Sequence, residues 1–158
     1  MDIQDQLDIL RGLGLDPLQE NIMLNKGELY KESPEYPGYW ISISGNIIGP
    51  RGNHIALDEH YTGYYKAHMR DKKCFVHRVV MMTFKPHEKG HTLVVNHKDR
   101  NRKNNHISNL EWATQLENIE HWRLCDIKDD LKTRLKARLS TLGEKIDLDQ
   151  VLAAVDEL

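Results

Sequence analysis

Apolar and polar positions change their period several times along the chain, and each change marks an element. Ile3, Leu7, Leu10, Leu13 and Leu15 have a partly helical spacing broken by Gly12, Gly14 and Pro17. This predicts a short acidic helix followed by a linker over residues 1–33. From about Tyr36 to Met69 the pattern alternates, with Tyr39, Ile41, Ile47, Ile48, Tyr61, Tyr64 and Tyr65 among Gly, Pro and Asn. Several short antiparallel strands are expected there, a small β module over residues 34–73.

Thr92 to Val95 is a β-branched run that leads straight into Asn96 and His97, so a short strand ends on those two residues. Leu110, Trp112 and Ala113, with Glu111 facing the other way, predict a second strand that pairs with the first as a hairpin. Thr114, with Glu117 three residues on, has the spacing of a capping box, and Leu116, Ile119 and Trp122 follow at helical separation. A helix therefore starts at about Gln115. Leu124, Ile127, Leu131, Leu135, Leu139 and Leu142 carry it on one stripe to about Leu142. Leu148, Val151, Leu152, Val155 and Leu158 predict a second helix after Gly143, with Asp147 or Asp149 near its start. These amphipathic helices, residues 124–158, could form a hairpin, self-associate or dock on a protein partner.

Charge adds what periodicity does not show. The 158 residues have a formal net charge of −2, unevenly spread. Residues 1–35 hold 3 basic and 8 acidic side chains, residues 36–125 hold 13 and 8, and the remainder 6 and 8. The basic middle, with Lys66, Arg70, Lys72, Lys73, Arg78, Lys85 and the run Lys98, Arg100, Arg102, Lys103, suits phosphate neutralisation and salt-dependent nucleic-acid binding. Cys74 and Cys125 have neither metal-binding nor secreted-disulfide spacing, and the chain has no N-terminal signal and no long apolar span, which fits a reducing cytoplasm and no membrane. His54, His60, His68, His87, His91, His106 and His121 lack zinc-finger spacing and are expected mostly at the surface.

The most specific chemistry lies between the two predicted strands. Asp99, Asn101, Asn104, Asn105 and Ser108 bond nearby backbone groups and favour an ordered polar loop. An Asn-His pair before such a loop is, alone, more often a turn than a site. Here it comes with Val95-Asn96-His97-Lys98-Asp99, Asn104-Asn105, Asn109-Leu110-Glu111-Trp112-Ala113-Thr114 and Asn118, preceded by Phe75-Val76-His77-Arg78-Val79-Val80 with Phe84. Upstream are Tyr36-Pro37-Gly38-Tyr39-Trp40-Ile41-Ser42 and Ser44-Gly45-Asn46-Ile47-Ile48.

Together these segments resemble the His-Asn-His (HNH) endonucleases of the ββα-metal fold, in particular the phage and intron-encoded homing group. The resemblance covers about residues 34–122 and is strongest from Val94 to Asn118. It implies an α+β chain with an HNH nuclease core over residues 74–123, preceded by the β module and followed by the helices, in a protein of phage or mobile-element origin. The implied activity is hydrolysis of DNA phosphodiester bonds with one divalent ion, Mg²⁺ or Mn²⁺, and double-stranded DNA as partner.

By resemblance, Asn96 and Asn118 are metal ligands through their side-chain oxygens, and Asn109 holds the His97 ring in orientation. With an unperturbed pKa near ~6.5, His97 is the candidate general base. Many members of the family carry Asp where this chain has Asn96, and a neutral amide lowers metal affinity, leaving much of the charge around the ion to the DNA phosphate. Asp99 can add charge directly or through water, or only bond its own loop. Arg78, Lys98, Arg100, Arg102 and Lys103 are the candidate DNA contacts, with His77 packing beside the site. The β module either grips DNA or only supports the nuclease helix. From another class, the alternative is a non-catalytic DNA-binding or assembly subunit that keeps the fold without effective metal binding.

Overall fold

A computed structural model describes residues 1–142 and 148–157. The chain divides into two compact units, Met1–Thr114 and Gln115–Leu158.

The first unit opens with helix α1 (Ile3–Gly12), whose Asp2 and Asp5 form a reciprocal capping box. Strands β1 (Ile22–Asn25) and β2 (Glu28–Glu32) follow as an antiparallel hairpin. Strands β3 (Trp40–Ser42) and β4 (Ile47–Ile48) complete a four-stranded sheet in the order β1-β2-β3-β4. A second sheet is the meander β5 (Leu57–Glu59), β6 (Tyr65–Met69) and β7 (Lys72–Phe75). Helix α2 (Val76–Phe84) starts directly at the end of β7. Last come β8 (Val94–His97) and β9 (Leu110–Ala113), an antiparallel pair in which Asn96 faces Glu111 and His97 faces Leu110.

Seven of the nine residues of α2 are buried, including Val76, Val79, Val80 and Phe84. Its β-branched valines and the lack of a side-chain N-cap bond make it a poor isolated helix, so burial is what holds it. The same core takes Ile41, Ile43 and Ile47 from the first sheet, Ala67 and Met69 from the second, and Val95, Ile107 and Leu110 from the β8–β9 hairpin. One core therefore fixes the β module and the hairpin relative to each other.

Two expected boundaries shift. Residues 1–33 are not a helix and linker, because β1 and β2 belong to the first sheet and Leu10 and Leu29 reach its core. Gln6 ties α1 to that hairpin through its buried carboxamide, which donates to Gly27 O at 2.9 Å and accepts from Leu29 N at 2.8 Å. An amphipathic pattern broken by glycines gave no sign of this polar anchor. At the other end, the division falls at Thr114 and not at residue 123, because the helix after β9 runs without interruption.

That helix, α3 (Gln115–Leu142), and α4 (Leu148–Asp156) make up the second unit. Lys132 pairs with the Asp156 carboxylate, and Lys128 donates to Asp156 O at 3.1 Å. The single stripe expected on α3 splits: Leu135 and Leu139 are half-buried, whereas Leu124, Ile127 and Leu131 are exposed. Gly143, Asp147 and Leu158 lie outside the described residues. Among the described residues no helix is long and apolar enough to cross a membrane.

Candidate active site

The β8–β9 register sets the first functional side chain. Asn96 and Glu111 are direct cross-strand partners, and Asn96 Nδ2 donates to Glu111 Oε1 at 2.8 Å. A carboxylate can only accept at neutral pH, so this contact settles which end of the amide is nitrogen. Asn96 Oδ1 then points away from Glu111, buried and without a hydrogen-bond partner. Leaving such an oxygen unpaired costs about 1–3 kcal/mol. A hard divalent cation takes this kind of donor.

His97 is next on the strand and is 2 % exposed. Its ring packs against Tyr64 (centroids 5.6 Å apart) and edge-on against His77 (5.3 Å). Burial pushes the His97 pKa below the ordinary histidine range, while Asn105 and Asp99 act in the opposite direction. The ring is therefore neutral at pH 7 and able to accept a proton. Its Nε2 lies 3.4 Å from Asn105 Oδ1, and Asn105 Nδ2 faces Lys103 O at the same distance. With the amide in that orientation, the contact favours the tautomer protonated at Nε2 and leaves the lone pair on Nδ1. His77 is held neutral more firmly. Burial, then His97 and Arg78, lower its pKa to about 3.

Asn109, expected to orient the His97 ring, is buried but makes no hydrogen bond to that ring. It donates to Asp99 Oδ1 and to Asn104 O, both at 2.9 Å, and accepts from Asp99 N at 3.0 Å. Its own carbonyl accepts from Lys98 N at 2.9 Å. Asn109 therefore pins the backbone just after His97, and Asn105 is the asparagine at the ring. The two lie four residues apart in one polar loop, and spacing alone could not assign the roles.

Asp99 is the hub of the loop. Its carboxylate accepts from Asn101 N, Asn104 Nδ2 and Asn109 Nδ2 at 2.7–2.9 Å. Burial works to raise its pKa, but these bonds prevail and hold it below the usual carboxylate value. The loop-bonding role of Asp99 thus accounts for both of its oxygens. Below Asn105 sits Gly45, in the β3–β4 turn at φ +90°, where a Cβ would come 2.8 Å from Asn105 Cβ. The β module therefore sets the floor of the loop that meets the His97 ring.

The candidate DNA contacts separate into three kinds. Arg78 is committed to structure: its guanidinium donates to Leu93 O at 2.9 Å and Gly90 O at 2.6 Å and lies over the Trp112 ring. It clamps the turn that leads into β8, so its guanidinium has a structural task whether or not it also meets phosphate. Arg102 and Lys103 are exposed but tethered, Arg102 to Thr62 O and Lys103 to the Glu59 carboxylate. Lys98 is exposed, and Arg100 is half-buried with a left-handed backbone at φ 59°.

Asn118 lies in the first turn of α3, and its Oδ1 is also buried and unpartnered. Each amide oxygen, taken by itself, has the donor chemistry of a hard-cation ligand. Among the described residues no group of three His, Cys, Asp or Glu side chains could hold a metal. Sequence reading missed Glu111, Asn105 and Tyr64. Only Glu111 left a usable signal, its place opposite Asn96 once the hairpin register is assumed.

Residues 74–119 match the family model described as HNH endonuclease. An uncharacterized HNH endonuclease of Acanthamoeba polyphaga mimivirus is 31% identical over 104 residues, covering 61% of this chain and 26% of that protein. The DNA endonuclease I-HmuI of Bacillus phage SP01 is 43% identical over 100 residues, 58% of this chain and 56% of that protein. The chain thus spans between about a quarter and just over half of these relatives. A solved structure described as DNA binding and cleavage by the HNH homing endonuclease I-HmuI superposes with a TM-score of 0.51, covering 81% of this chain and 67% of that one. Identity falls to 27% over that longer alignment, so the stronger similarity is concentrated in a shorter stretch. Residues 74–119 thus match the HNH endonuclease family model, within an α+β chain that resembles a phage homing endonuclease.

Proposed function

We propose that the protein is a metal-dependent endonuclease that hydrolyses phosphodiester bonds in double-stranded DNA. The observation that carries this reading is the adjacency, on one short strand, of a buried neutral His97 and an Asn96 oxygen that is buried and unpaired. Asn96 would hold one divalent ion, Mg²⁺ or Mn²⁺, through its side-chain oxygen, and the family resemblance implies Asn118 as a further ligand. Such an ion neutralises charge on the scissile phosphate and stabilises the leaving oxygen.

The chain's own residues do the rest. His97 takes a proton from water through Nδ1, as Asn105 favours the proton already on Nε2. The water oxygen bonds to phosphorus as the bond to the leaving sugar oxygen breaks, and a solvent proton completes the leaving hydroxyl. Asn109 and Asp99 keep the backbone after His97 fixed, so the ring need not reorganise as substrate arrives. Lys98, exposed in the loop after His97, would meet phosphate, with Arg100 beside it in sequence. The unpaired Asn96 oxygen weighs against a purely non-catalytic subunit, since a chain that had lost metal binding gains nothing by leaving it unsatisfied.

Conversion of supercoiled plasmid to nicked or linear DNA tests the proposal. Wild type should cut with Mg²⁺ or Mn²⁺, EDTA should stop it, and His97→Ala should slow it at least ~10²-fold, the usual scale for a lost general base. Equal cutting by wild type and His97→Ala would sink the assigned mechanism.

A further inference from the structure

Tyr61 is 93 % exposed at the tip of the β5–β6 hairpin. A single exposed aromatic is unremarkable by itself, but this one stands on a hydrogen-bonded turn. His60 N donates to Tyr64 O and Gly63 N to His60 O, both at 2.8 Å, and Gly63 takes the turn at φ +85°. His60 Nδ1 lies 2.6 Å from Thr62 Oγ1, and the His60 ring backs the Tyr61 ring at 4.1 Å. The phenol is thus presented outward from a braced turn, with the His60 ring behind it.

The hairpin is also fastened to the catalytic loop. Arg102 donates to Thr62 O at 2.9 Å and lies over the Tyr64 ring, and Lys103 pairs with Glu59 at 2.8 Å. Rings connect the tip to the base: Tyr61 to His60 (4.1 Å), His60 to Phe75 (5.5 Å), Phe75 to His77 (5.4 Å) and His77 to His97 (5.3 Å). Since no step exceeds 6 Å, Tyr61 lies within one turn of duplex, about 34 Å, of His97. Arg102 beside the tip suits a polyanion, although Glu59 pairs with Lys103, and an exposed ring on a braced turn suits the face of a base.

We infer that Tyr61 is a stacking wedge: when the site takes duplex DNA, the ring inserts against a base step within one turn of the cut and holds that step unstacked. The inference rests on the reading of double-stranded DNA as substrate. Its role is positioning. Opening one step bends the duplex and lets more phosphate approach the loop that carries Lys98 and Arg100.

The test uses the full chain as wild type, Tyr61→Ala and Tyr61→Phe. Because the side chain is almost wholly exposed, the alanine variant should fold normally. On intact plasmid, Tyr61→Ala should cut roughly tenfold more slowly and Tyr61→Phe like wild type, the scale of one base–aromatic stack. A single mismatch near the mapped cut, which unstacks the step in advance, should restore Tyr61→Ala to wild-type rate. In parallel, a duplex a few turns long carrying 2-aminopurine is bound by His97→Ala protein with and without the Tyr61→Ala change. Fluorescence should rise only when Tyr61 is present. Equal cutting by all three proteins, an equal loss on matched and mismatched DNA, or fluorescence indifferent to Tyr61 would overturn the inference. If wild type does not cut but the fluorescence rise depends on Tyr61, the wedge stands and the nuclease reading falls.

Discussion

The β8–β9 hairpin with its loop and the long helix α3 follow each other directly in sequence, yet they use polar residues in opposite ways. In the hairpin Asn96, His97, Asn105 and Asn109 are all buried, and each amide has at least one identified partner. On α3 the charged side chains are mostly solvated, and it is the apolar ones, Leu116, Ile119, Leu124 and Ile127, that are more than half exposed. Burying polar groups is costly unless they bond one another, so a buried polar cluster specifies one geometry and invites a chemical explanation. An exposed apolar stripe specifies only that something can cover it.

The comparison can be sharpened first through the clamp that holds the hairpin. Arg78 satisfies two carbonyls from a half-buried position, so Arg78→Ala should lower unfolding free energy by about 2–3 kcal/mol, and Arg78→Lys should recover little of it. Urea denaturation measures this. A change confined to DNA affinity would instead leave phosphate contact as the only task of Arg78.

A second effect is acid sensitivity. His77 has a pKa of about 3 in the fold against ~6.5 unfolded, so between those values the unfolded chain binds the extra proton. Stability is then full above pH 6.5 and falls on acidification, by up to about 1.4 kcal/mol per pH unit from this group. His97, also shifted downward, adds in the same direction. Replacing His77 by phenylalanine should flatten the slope between pH 6.5 and 4 in denaturant melts. An unchanged slope would show that the ring is not desolvated as described.

The smallest effect belongs to the helix. Changing Leu124 and Ile127 together to glutamine should alter stability by less than about 0.5 kcal/mol per site, as for other exposed positions. A larger loss, or a change of mass by light scattering, would show that this face is covered in solution and would weaken the contrast between the two regions.

Which parts were legible in the sequence follows from the same physics. The hairpin, the polar loop and the start of α3 could be read because their signals are local: a β-branched run, turn-forming side chains and a helix start within about 25 residues. The short strands between residues 34 and 73 were readable for the same reason, whereas helix α2 was implied only by the family resemblance. What could not be read was who bonds whom. Asn109 and Asn105 exchanged expected tasks because both are amides in one loop, and only the folded backbone puts one at the ring. Arg78 was legible only as a DNA contact because a basic residue near a site carries no mark of the carbonyls it will meet. The strands at residues 22–32 pair with each other around Lys26 and Gly27, but they were missed because their apolar residues do not alternate cleanly and their remaining anchors lie in β3 and the Gln6 carboxamide.

The central claim is that the unpaired Asn96 oxygen is a metal donor beside the base. Titrating Mn²⁺ against plasmid cutting by wild type, Asn96→Asp and Asn96→Ala tests it most directly. The account predicts that aspartate, by adding negative charge at the ligand, lowers the Mn²⁺ concentration needed for half-maximal cutting, and that alanine raises it or abolishes cutting. Identical metal dependence in all three proteins would contradict it.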